Sequence, residues 1–148
     1  MSSSSRPPLT GEQLVELVEL YQRRLGLGDW RIRVELDEPA EDGASADVER
    51  LPDYPLAVIR FNPAWRETPA DSWGDWRIPV EEVVAHELAH LLLVPIDRVA
   101  LHTFEQLGGQ AAAIAGAAYK SALEQSVDAI ARVLVEAYAP ADAAAPER

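Results

Sequence analysis

The chain has no cysteine, one methionine, two phenylalanines, three histidines and one lysine, Lys120, in 148 residues. Without cysteine there are no disulfides, no thiolate zinc ribbon and no cysteine nucleophile. No apolar run approaches the roughly 18 residues that mark a membrane span. The opening MSSSSRPP lacks the apolar stretch of a signal peptide. Positive charge is scarce too: 13 Lys+Arg face 25 Asp+Glu, for a formal net charge of -12. Charge of that sign repels phosphate backbones and anionic headgroups, so neither nucleic acid nor a membrane is an expected partner. The expected compartment is the cytoplasm. Only His86, His90 and His102 are available for imidazole chemistry.

What is present reads as a globular chain. Hydrophobic residues make up 48% and charged residues 26%, near the average for folded domains. The length fits a single domain. Residues 1–8 read as a disordered leader, 9–138 as the domain and 139–148 as a disordered tail. Thr10 and Gln13 form a capping box ahead of Leu14, Val18, Tyr21 and Leu25, which recur at helical spacing; Gly26 and Gly28 end that helix. Trp30, Ile32, Val34 and Leu36 alternate with polar residues as a half-buried strand. Residues 46–51 and 56–61 read as two more strands. Residues 64–78, with Trp65, Trp73 and Trp76, read as an ordered loop. A helix follows over 80–93, with Pro79 at its first position and Pro95 ending it. Helical patterning resumes from Asp97 to Leu107 and breaks at Gly108-Gly109. A long last helix over about 111–138 has Ile114, Leu123, Val127, Ile130, Val133, Leu134 and Tyr138 on its apolar side. The expected class is α+β: a small antiparallel or mixed sheet packed on the 80–93 helix, plus a long C-terminal helix.

The chemistry is concentrated in His86-Glu87-Leu88-Ala89-His90, an HExxH pattern. Positions i and i+4 share one helical face, so both imidazoles can point at one metal ion. Glu87 lies about 100 degrees round the helix from His86. That places it beside such an ion, able to accept a proton from an activated water. Random placement yields the pattern in roughly 0.6% of chains of this composition. Apart from Glu87, no charged residue occurs between Val83 and Val94. An apolar helix does not normally hold two His and a Glu unless they are paired or bind metal.

VVAHELAHLL resembles the active-site helix of zincin metallopeptidases. The resemblance implies zinc held by His86 and His90, Glu87 as general base and acid, and a peptide or protein substrate. Catalytic zinc takes three protein ligands and an open position, and two residues compete for the third place. Glu124 lies 34 residues after His90, with Asp128 one turn further along the same face. This is similar to the glutamate-zincins, in which a Glu on a second helix is a ligand and an Asp four residues on orients a zinc-bound His. His102, 12 residues after His90, would instead complete a three-His site like that of SprT-type proteins. EQSVDAIARVL also resembles the Glu-bearing helix of ImmA/IrrE-type and short phage-encoded peptidases. In zincins the strand before the HExxH helix forms an edge on which an extended peptide docks; Leu56–Phe61 is either that edge or an interior strand. Trp73 and Trp76 either line a pocket or cap the core. Tyr119, His102, Tyr138 and several Arg are candidate oxyanion donors. The expected function is zinc-dependent peptide hydrolysis. The alternative is a regulatory zincin-fold protein that binds a partner in the same cleft without catalysis. The sequence sets no oligomeric state.

Overall fold

The computed structural model describes residues 5–38, 40, 43–51, 54–75 and 77–139. Among them the chain is α+β, with elements in the order α1 (Gly11–Arg24), β1 (Arg31–Glu35), β2 (Ala46–Arg50), β3 (Leu56–Phe61), a 3-10 turn (Pro63–Arg66), α2 (Val80–Leu92), α3 (Val94–Leu107) and α4 (Gly109–Ala137). None of the described helices is long and apolar enough to cross a membrane.

The local signals act as expected in α1. The Thr10 hydroxyl accepts from the Gln13 N–H, and the Gln13 side chain accepts from the Thr10 N–H, satisfying two donors that a helix start leaves orphaned. Leu14, Val18 and Tyr21 turn one face of α1 into the core. Ser5 and Arg6, within the expected leader, contact the loop after β3 and α2. The Arg6 N–H donates to Asp71 at 3.0 Å and its guanidinium pairs with Glu81 at 2.7 Å. The tail beyond Ala139 and Trp76 lie outside the described residues.

The sheet runs β1-β3-β2, with β3 parallel to β1 and antiparallel to β2. Leu56–Phe61 is therefore the central strand, which settles the edge question: the edge next to the helices is β2. Ala57, Ile59 and Phe61 are fully buried and Val58, on the opposite face, is nearly so. That near-continuous apolar pattern is what a strand with neighbours on both sides carries. Register fixes which backbone groups of β2 are free. The Asn62 N–H donates to Ser45 O, and the Leu51 N–H donates to Leu56 O. Antiparallel pairs alternate between bonded and non-bonded, so Ser45, Asp47, Glu49 and Leu51 face β3. Ala46, Val48 and Arg50 direct their backbone groups outward.

Two expectations about prolines change. Pro79 is the N-cap of α2, at φ −61 and ψ 145, rather than its first residue. Pro95 does not stop the helical run. It sits in the first turn of α3, where its missing N–H leaves no intrahelical bond unmade; the break between helices falls at Leu93. Gly108, at φ 64, then turns the chain back into α4. The described residues of the segment after β3 make defined contacts. The 3-10 turn buries Trp65, whose ring N–H donates to Leu36 O at 3.2 Å. Trp73 is buried edge-on against Phe61, with ring centroids 5.9 Å apart, so it caps the core, and it also lines a pocket.

α2 is the hub. It packs against α1, β2, α3 and α4, and Val80, Val83, Val84, Ala85, Leu88, Ala89 and Leu91 are buried. α4 meets the core through buried Val127 and Ala131 and half-buried Leu134 and Val135. Ile114 and Val133, expected on its apolar side, are each 64% exposed, although α4 packs against both α2 and α3.

Candidate metal centre and groove

α2 presents His86 and His90 one turn apart, with Nε2 atoms 3.3 Å from each other. α4 crosses α2 at this level and brings Glu124 to the pair. Its two carboxylate oxygens lie 3.4 Å from His86 Nε2 and 3.7 Å from His90 Nε2. One ligand atom from each of the three residues lies within 4.8 Å of the other two. Atoms bound at about 2.0–2.2 Å to one tetrahedral zinc stand about 3.3–3.6 Å apart. The closest approaches within the triad, 3.3 to 3.7 Å with the two Glu124 distances made to different oxygens, are near that spacing. One turn along α4, Asp128 Oδ1 accepts from His86 Nδ1–H at 2.8 Å. That bond fixes the ring and leaves Nε2 as the free lone pair.

Electrostatics favour the same arrangement. Burial lowers the pKa of His90 despite the pull of the Glu124 carboxylate. The ring is therefore neutral at pH 7, as a metal ligand must be. Glu87 is not part of the triad. Burial, helped by the negative charges of Asp47 and Glu124, pushes its carboxyl up to about 8. A carboxyl tuned near neutrality can take a proton and return it.

The triad opens into a groove with two lobes, of about 470 Å³ and 360 Å³. His86, Glu87, Ala44 and Ala46 line both lobes. The larger continues along Asp47, Val48 and Arg50 of β2 toward Asp97 of α3, with Leu123 and Glu124 opposite. The smaller is walled by Trp73, Ile78, Val83 and Asp128. β2 contributes consecutive residues to the larger lobe, as an open strand edge does.

His86, His90, Glu87, Glu124 and Asp128 are thus brought together, and His102 is not. His102 faces Glu105 at 3.9 Å on the outside of α3, with 76% of its side chain exposed. The Tyr119 hydroxyl donates to Asp97 Oδ1 at 3.3 Å, which occupies its proton. Tyr138 lies beneath the Arg24 guanidinium, 4.1 Å from ring centroid to carbon. Sequence reasoning missed Arg50 and Asp97, joined at 2.5 Å. They are 47 residues apart, and no local pattern links them. No family model, curated protein or solved structure matches the chain.

Proposed function

We propose that this chain is a zinc-dependent peptidase of the zincin type, with the glutamate-zincin ligand set His86, His90 and Glu124. The observation that carries the reading is the triad's spacing, 3.3 to 3.7 Å between ligand atoms, with Asp128 behind His86. Two imidazoles and a carboxylate suit zinc and leave one position open, as catalytic sites require. When bound, zinc supplies Lewis acidity toward water and toward a carbonyl. The chain's own residues do the rest. Glu87, at the junction of the two lobes, accepts the proton of the attacking water and hands it to the leaving amine. The outward backbone groups of Ala46 and Val48 hydrogen-bond an extended substrate as an added strand. The regulatory alternative leaves Glu87 unexplained: a site that only holds metal has no use for a half-buried, desolvated carboxylate next to the ligands.

The test uses the zinc-loaded chain, wild type and Glu87→Gln, incubated with an unfolded protein. Both should hold one zinc per chain, and Glu87→Gln should lose about 10²- to 10⁴-fold in hydrolysis, the usual contribution of a general base. Equal hydrolysis by the two proteins, or none by zinc-loaded wild type, overturns the reading.

A further inference from the structure

The two ends of the groove are built differently. β2 and α2 run along it in the same direction. Ala46 lies level with His86 and Glu87, while Arg50 lies level with Asp97, just past the end of α2. α4 returns along the opposite wall, so Tyr119 is at the Arg50 end and Asp128 at the other. At the Arg50 end the walls are joined. Arg50 Nη2 donates to Asp97 Oδ2 at 2.5 Å, and the Tyr119 hydroxyl donates to Asp97 Oδ1 at 3.3 Å. One carboxylate thus ties the edge strand to α3 and α4. The tie is packed rather than loose: Arg50 Nη1 is sealed from solvent, and the side chain is only 29% exposed. At the other end the smaller lobe continues past the metal ligands between Ala44, Ser45, Trp73 and Gly74.

We propose that the Arg50–Asp97–Tyr119 tie is an end stop in the substrate groove, so that an extended peptide finds room for only about three residues between the metal ligands and that end. The proposal rests on the peptidase reading. The length follows from strand geometry: the four steps from Ala46 to Arg50, at about 3.3 Å each, span about 13 Å. A peptide paired along this edge meets the tie after its third residue. The substrates cut are then chain ends and short peptides, cleaved within about three residues of one terminus.

The test fixes the register chemically and does not depend on turnover. Two series of peptide hydroxamates are titrated against the zinc-loaded full chain. The hydroxamate anchors on the metal, and residues are added on its N-terminal side in one series and its C-terminal side in the other. In one series affinity should rise with each residue. In the other it should rise to the third residue and then fall about tenfold or more at the fourth, as a steric stop imposes. Arg50→Ala, and separately Asp97→Ala, should remove the penalty on the fourth residue, with melting temperatures confirming that each variant is folded. Wild type that gains affinity past the fourth residue in both series, or variants that keep the penalty, overturn the end stop and leave the peptidase reading in place. Failure of every hydroxamate to bind the zinc-loaded chain overturns the peptidase reading and the stop with it.

Discussion

α2 and α3 follow one another across a single residue, Leu93, and between them carry all three histidines, each with a glutamate close by. On α2 the pair of rings meets Glu124 and Asp128 across a groove. On α3, His102 and Glu105 stand 3.9 Å apart with 76% and 75% of their side chains exposed. The residue types are alike, and the difference lies in what packs over them. Seven residues of α2 are buried, whereas α3 buries only Val94. α4, turned back at Gly108, lays its buried Val127 and Ala131 next to the former helix. Water screens the α3 pair, and such a contact is worth at most about 1 kcal/mol. Beside α2, the same kind of carboxylate is desolvated enough to titrate at about 8. Position relative to α4, not proximity in sequence to the HExxH motif, decides which side chains become chemistry.

The largest expected effect sets the two helices against each other directly. Structural zinc sites with four ligands bind with about 10–16 kcal/mol, or about 2.5–4 kcal/mol per ligand, so removing one ligand here costs roughly 10²- to 10³-fold. Glu124→Ala should lose that much in a zinc titration, while His102→Ala should titrate like wild type. Metal lost with His102 and kept without Glu124 would reverse the comparison and favour a three-His site. Next is Asp128→Ala, expected to weaken zinc by about 10- to 100-fold, because it orients a ligand without being one. An unchanged affinity would mean that the bond to His86 Nδ1 does nothing for the metal.

The smallest effect concerns pH and uses chelator-treated protein. In the folded chain Glu87 keeps its proton to about 8, against 4.5 when unfolded. Its stabilising contribution is therefore complete below about 4.5 and is lost as pH rises through 8. His90, whose pKa is lowered, acts in the opposite sense below its ordinary value of about 6.5. The window that isolates Glu87 is therefore pH 6.5 to 8, where the metal-free chain should lose about 2 kcal/mol of stability. Urea unfolding at several pH values measures this. Glu87→Gln should flatten the slope, and Glu105→Gln on α3 should leave it as in wild type.

The parts of this molecule legible in the sequence are those fixed by local physics. The Thr10–Gln13 cap, the alternation in β1, the apolar run of α2 and the glycine break at Gly108 each depend on a few adjacent residues. The pairing of Glu124 with Asp128 at helical spacing was visible too, because a face shared by two carboxylates is a local property. What crosses the fold was not legible. Whether β3 is central or at the edge depends on strand order, although the burial of Ala57, Val58, Ile59 and Phe61 has its trace in the unbroken Leu56–Ile59 run. The exposure of Ile114 and Val133 depends on which face of α4 meets α2 and α3, which helical periodicity does not encode. The Arg50–Asp97–Tyr119 tie joins three elements, and no spacing rule predicts it.

The central claim is that α2 and α4 together hold one metal ion between His86, His90 and Glu124. Anomalous diffraction at the zinc edge, from crystals grown with zinc, tests it most directly. The account predicts one strong peak about 2.0–2.2 Å from His86 Nε2, His90 Nε2 and a Glu124 oxygen. A peak at His102, or zinc bound only to surface carboxylates while the triad stays empty, would contradict it.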